Sequence, residues 1–121
     1  MVPRVYRLKN PLSVQKAFRY GKPFFFGNVS ARILFNVDDT TKIACVSAKK
    51  TFRLATDRNR ARRILSESIK PFLGGFPSNA YVVLSFKRKP EGGVGLVSTM
   101  NDIEGLVKAI NSGFSGRKQY E

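Results

Sequence analysis

Three features of this 121-residue sequence predict an α+β fold. Val29 to Val37 alternates apolar and polar residues at strand period, and Ala80 to Phe86 is a short apolar run bounded by turn residues. Between and after them, Asp57 to Phe72 and Thr99 to Asn111 carry apolar residues at helical spacing. Strands interrupted by a helix imply a two-layer α/β sandwich. The prediction is one central mixed sheet of about four strands with three helices, in the order αβββαβα.

From the N-terminus, Leu12 to Tyr20 is predicted as a helix, started by Asn10-Pro11 or Ser13 and stopped by Gly21. Val14, Ala17 and Phe18 share one face of it. Phe24 to Val37 reads as extended chain broken at Gly27-Asn28. Asp38 to Thr41 is a predicted turn, and Lys42 to Ser47 a strand returning antiparallel to the one before it, by the hairpin rule. The helix from Asp57 to Phe72 buries Ala61, Ile64, Leu65, Ser68, Ile69 and Phe72, with Thr56 or Asp57 as its cap. Gly74-Gly75 ends it. Ala80 to Phe86 is a buried strand closed by Lys87-Arg88-Lys89, and a Gly-rich loop from Glu91 to Gly95 leads to the last helix, with Ile103, Leu106, Val107 and Ile110 inward. Residues 1–121 are expected to form one domain, 113–121 being a flexible tail.

Hydrophobic content of 42% suits a folded core, while a net charge of +14 predicts self-repulsion and strong attraction to anions. Nucleic acid is the first candidate partner, an anionic membrane the second and an acidic protein the third. No stretch has the length of a membrane span and the N-terminus does not read as a signal peptide, so a cytoplasmic protein with no membrane partner is expected. The chain has no histidine and one cysteine, Cys45. A Cys/His dyad, a Ser/His/Asp triad and a disulfide framework are therefore excluded. Cys45 lies in the apolar run Ile43 to Val46 and reads as a buried, unreactive thiol.

The strongest functional signal is the stretch from Lys49 to Arg63. Lys49, Lys50, Arg53, Arg58, Arg60, Arg62 and Arg63 fall within it against a single acid, Asp57. Cations at a helix N-terminus oppose the helix dipole, and Arg58 and Arg62 at i,i+4 repel each other. A polyanion would compensate both, and arginine suits bidentate contact to phosphate. Aromatic residues beside cations have two readings, core or a base-stacking surface for single-stranded RNA. Phe18, Tyr20 and Phe35 are candidates for a groove between the first helix and the sheet, whereas Phe24 to Phe26 read more readily as core. Asp38, Asp39 and Asp57 read as turn and cap residues, and no spacing of acids demands a catalytic metal site.

Val46-Ser47-Ala48-Lys49-Lys50, then Ala55, then Arg58-Asn59-Arg60-Ala61-Arg62-Arg63-Ile64-Leu65 resembles the signature of the bacterial ribonuclease P protein component. Arg7-Leu8-Lys9 with Val14 to Gly21, and Tyr81 to Lys89 with the last helix, are similar to the family's opening and closing elements. The sequence departs from the pattern at Val14, often aromatic in the family, at the inserted Ala48, at the acidic Asp57, and at Ala61 and Ser66. The resemblance implies an α/β sandwich with a left-handed crossover through the Arg-Asn-Arg helix. It implies the protein subunit of an endoribonuclease that removes the 5′ leader of precursor tRNA. One protein would serve each ribonuclease P RNA, with catalysis and Mg²⁺ on that RNA and no catalytic or metal-binding side chain of the protein. Lys49, Lys50, Arg53, Arg58, Asn59, Arg60, Arg62 and Arg63 would face the RNA subunit. Phe18, Tyr20, Phe35, Arg32 and Lys87 would hold the leader.

Two rival functions make different demands. A structural RNA-binding protein of the ribosomal kind would bury Phe18 and Phe35 and have no leader groove. A protein-only metal nuclease would need converging carboxylates and would cleave without an RNA partner.

Overall fold

In the computed structural model, which describes residues 6–35, 37 and 40–112, the elements are α1 (Pro11–Tyr20), β1 (Lys22–Phe26), β2 (Val29–Phe35), β3 (Lys42–Cys45), α2 (Ala55–Ser68), a 3-10 segment (Lys70–Gly75), β4 (Ala80–Phe86) and α3 (Leu96–Asn111). The expected turn at Asp38-Asp39 and the tail at 113–121 lie outside the described residues. Among the described residues no helix is long and apolar enough to cross a membrane.

The local signals explain most boundaries. Asn10 Oδ1 accepts the Leu12 N–H at 2.9 Å, Pro11 occupies the first turn of α1, and the Gly21 N–H closes the helix onto Ala17 O. Phe26 pairs with Val29, so β1 and β2 form a hairpin around Gly27-Asn28. Gly27 has φ +59°, and a Cβ there would run into the Asp102 carboxylate. That carboxylate accepts the Asn28 N–H at 3.2 Å, while Arg88 Nε donates to Asn28 Oδ1 at 2.8 Å. One turn is thus held from α3 and from the end of β4.

The sheet order is β1-β2-β4-β3. The predicted antiparallel hairpin between the second and third strands does not form. β4 inserts between them, antiparallel to β2 and parallel to β3. The reason is burial. β4 is the most apolar strand and hides five of its seven residues, which requires a neighbour on each side. β3 is short and half-buried, as an edge strand can be. Its outer edge is partly capped by Arg7-Leu8, whose Leu8 N–H donates to Ile43 O at 2.9 Å.

Alternation divides the sheet into two faces. Phe24, Val29, Ala31, Ile33, Ile43, Val82, Leu84 and Phe86 join Ala61 and Leu65 of α2 and Ile103, Leu106 and Ile110 of α3 in the core. α1 crosses the other face, over β2 and β4, and buries Ala17 there. α2 differs from expectation at its start. The helix begins at Ala55 with Leu54 as its cap residue and no side-chain cap bond, so Asp57 lies inside the first turn, where its charge favours the dipole. The C-terminal part of the predicted helix tightens into the 3-10 segment because Pro71 has no N–H to continue the α-helical ladder. Phe52, within the basic stretch, is 2% exposed and meets Phe86 edge-on, with ring centroids 5.7 Å apart. It pins the basic connection to the sheet.

Candidate nucleic-acid interface

Ala61, Leu65 and Ser68 take the inward face of α2, so helical geometry leaves Asn59, Arg60, Arg62 and Arg63 on the exposed side. A groove of about 940 Å³ runs between this side of α2, β3 and Arg7. Several of these side chains are held in place. Arg62 donates to Asn59 Oδ1, and its own carbonyl accepts Ser66 Oγ. Arg60 Nη2 reaches Val94 O at 3.2 Å, on the side toward α3. Lys49, Lys50 and Arg53 are exposed on the turn that precedes the helix.

Arg58 stands apart. It is half-buried, and Nη1 donates to Phe52 O and Arg53 O at 3.0 Å each. Ser47 Oγ donates to the Arg58 carbonyl at 3.0 Å. This guanidinium ties the basic turn to α2, a structural role that the run of charges did not disclose.

On the opposite face of the sheet, Phe18 is 47% exposed. The Arg32 guanidinium lies 5.3 Å from its ring centroid and donates to Phe18 O at 2.9 Å. Val14 and Phe18 of α1 and Val46 after β3 line a shallow hollow of about 520 Å³. Tyr20 is exposed at the end of α1. Phe35 does not join them. It has the parity of Ile33 and Ala31, whose side chains enter the core, so it emerges on the α2/α3 side of the sheet. Alternation, not residue type, corrects the expectation that Phe18 and Phe35 share one groove. By the same rule Phe25 lies on the α1 side, where Lys87 Nζ sits 5.0 Å from its ring centroid. A reading of the Phe24-Phe25-Phe26 run as core missed it, although period 2 from the buried Phe24 was the available signal.

Burial pushes the Cys45 thiol up to about 11, with a hydrogen bond to Ser66 opposing the shift, so the thiolate is scarce at neutral pH. Among the described residues no three His, Cys, Asp or Glu side chains converge as a metal site. The donors gathered on these two faces are guanidinium, ammonium and hydroxyl groups, which suit phosphate and bases rather than a cation.

The Ribonuclease P family model matches residues 2–109. The ribonuclease P protein component of Borreliella burgdorferi (strain ZS7) is 27% identical over 114 residues, spanning 91% of this chain and 90% of that protein. The structure of the Staphylococcus aureus RNase P protein superposes with a TM-score of 0.68 at 20% identity, over 91% of this chain and 98% of that one. The Thermotoga maritima RNase P protein gives 0.67 at 20% identity, over 84% and 94%. At these identities the two structures speak for the fold.

Proposed function

The chain belongs to the ribonuclease P protein family, and on that footing we propose that it binds the catalytic RNA subunit through α2 and the 5′ leader of precursor tRNA through the α1 face. The observation that carries the reading is the exposed basic surface formed by Lys49, Lys50, Arg53, Arg60, Arg62 and Arg63, set beside a packed core. Lys49, Lys50, Arg53, Asn59, Arg60, Arg62 and Arg63 contact the RNA subunit, and Arg58 braces the turn that presents them. Phe18, Arg32 and Lys87 contact the leader, with Tyr20 at its margin. Phe35, on the other face, is left out of this assignment.

The mechanism is electrostatic and positional. One surface neutralises phosphates of the large RNA, and each such contact adds about 0.7 to 0.9 to the slope of log affinity against log salt. The α1 face supplies a ring with a guanidinium stacked against it, a surface that accepts a base without reading its identity. Held there, the leader raises substrate affinity. Hydrolysis proceeds on the RNA subunit with its Mg²⁺, and no protein side chain takes part in bond breaking.

Cleavage of precursor tRNA at low Mg²⁺ by the cognate RNA subunit, with and without this protein, tests the reading. Strong stimulation is expected, with no cleavage by the protein alone. Tight RNA binding without stimulation would favour a structural RNA-binding protein. The exposure of Phe18 already fits a groove better than that alternative.

A further inference from the structure

The α1 face holds a second aromatic–cation pair besides Phe18 and Arg32. Phe24 pairs with Ala31 and enters the core, so Phe25, opposite Ser30, faces the other way. Its ring is 51% exposed, with the Lys87 ammonium over it. Ser30 pairs with Ser85 on β4, and their hydroxyls share a hydrogen bond of 3.0 Å. Val46, whose N–H donates to Leu84 O, continues the β3–β4 ladder at the same level. One row therefore crosses the sheet from Val46 through Ser85 and Ser30 to Phe25. It covers three strand spacings, about 14 Å. α1 packs over β2 and β4, with Arg32 of the adjacent row hydrogen-bonded to Phe18 O; along the row itself Ser30 is buried, Ser85 is half-buried and Phe25 is exposed.

The composition of the row is specific. Val46 at one end belongs to the hollow beside Phe18. Phe25 at the other end sits on an edge strand, where a half-exposed ring gains little from the core. Between them are two small side chains, the buried Ser30 and the half-buried Ser85, which satisfy each other's hydroxyls and keep the sheet surface low between the two aromatic residues. A cation stands at each aromatic residue, Arg32 at Phe18 and Lys87 at Phe25. Rings spaced along a groove with cations beside them match a single strand of nucleic acid, whose bases stack while its phosphates seek positive charge.

We propose that Phe25, backed by Lys87, is a second base platform of the leader groove, and that the leader crosses the sheet over the Ser30–Ser85 hydroxyl pair to reach it. The proposal rests on the leader reading above and adds its path. Phe18 and Phe25 each stack a base, so affinity for precursor tRNA rises in two steps as the leader lengthens.

The test uses holoenzyme reconstituted with the cognate RNA subunit. Affinity is measured for mature tRNA and for precursors whose leaders grow one nucleotide at a time, with the parent protein, Phe25→Ala, Phe25→Leu and Phe25→Trp. Phe25→Leu keeps apolar bulk and removes the π face, so it separates stacking from folding. For long leaders, Phe25→Ala and Phe25→Leu are expected to lose about 5- to 100-fold, the range of one base–aromatic stack. Mature tRNA and the shortest leaders should be unaffected, and Phe25→Trp should retain the affinity of the parent. Unchanged affinity in both truncations, while the parent still prefers long-leader precursors, would overturn the platform and leave the leader reading standing. A loss extending equally to mature tRNA would overturn it as well. A parent holoenzyme with no preference for precursor over mature tRNA would remove the leader reading and the platform together.

Discussion

Replacing Arg58 by alanine separates two roles that a basic cluster otherwise hides. Its guanidinium makes two 3.0 Å bonds to the carbonyls of Phe52 and Arg53, one partly buried and one exposed. A hydrogen bond from a charged donor is worth about 1.5 to 3 kcal/mol when shielded and less in the open, so the pair contributes about 2 kcal/mol. At an unfolding entropy of about 2.1 cal/mol/K per residue, the 121 residues give about 0.25 kcal/mol/K, and Tm falls about 8 °C. Arg63→Ala, on the exposed side of α2, should change Tm by less than about 2 °C. Both variants should remain folded at 25 °C and both should bind the RNA subunit more weakly. Calorimetry gives Tm, and brief trypsin digestion reports whether the turn from Lys49 to Arg53 has loosened in Arg58→Ala alone. Equal Tm values for Arg58→Ala and the parent, or an equal drop for Arg63→Ala, would refute the assignment of Arg58 as a brace.

Other consequences can be measured separately. Salt should act with opposite signs on the free protein and on its complex. Screening a net charge of +14 should raise Tm of the free chain between 0.05 and 0.5 M as order-of-magnitude limits, while RNA affinity falls over the same range; a Tm that falls instead would contradict the self-repulsion argument. In a titration of RNA affinity against salt, Arg62→Ala should reduce the log–log slope by about 0.7 to 0.9, and an unchanged slope would remove Arg62 from the phosphate contacts. Phe52→Ala should cost about 3 to 5 kcal/mol, read as a lower urea midpoint, because it empties a nearly sealed site against Phe86. The Cys45 thiol titrates near 9.0 when unfolded and about 11 when folded. Between those values the folded state holds the proton more tightly, so stability falls as pH rises from about 9 to about 11, and Cys45→Ala should flatten that decline.

Elements whose signals are local were legible in the sequence. Asn10-Pro11 and Gly21 bracket α1 because capping chemistry acts within a few residues, and β4 has the bounds its apolar run suggested. The pairing of strands was not legible. A hairpin rule sees only the neighbour in sequence, whereas β4 draws β2 and β3 to its two sides because most of its residues must be covered. The α2 start also escaped, since Thr56 and Asp57 are good cap types but the helix had already begun at Ala55. In the candidate sites, the face on which an aromatic residue lies was not legible without the strand register. Phe35 and Phe25 are both half-exposed aromatics on neighbouring strands, and only register assigns them to opposite sides.

The proposed function asks one small fold to meet two RNA surfaces, and that same register sets how the two faces are joined. β4 is shared by both. Leu84 points into the layer formed with Leu65 of α2, and the next residue, Ser85, turns to the face that carries Phe18 and Lys87. The basic face of α2 and the aromatic face under α1 are therefore fixed relative to each other by a packed core rather than by a linker. Alternation along a single strand gives a chain with one hydrophobic core a basic side on α2 and an aromatic side under α1. In the proposed function that rigidity matters as much as the charge, because a leader held by the protein gains affinity only if the large RNA is held in a constant relation to it.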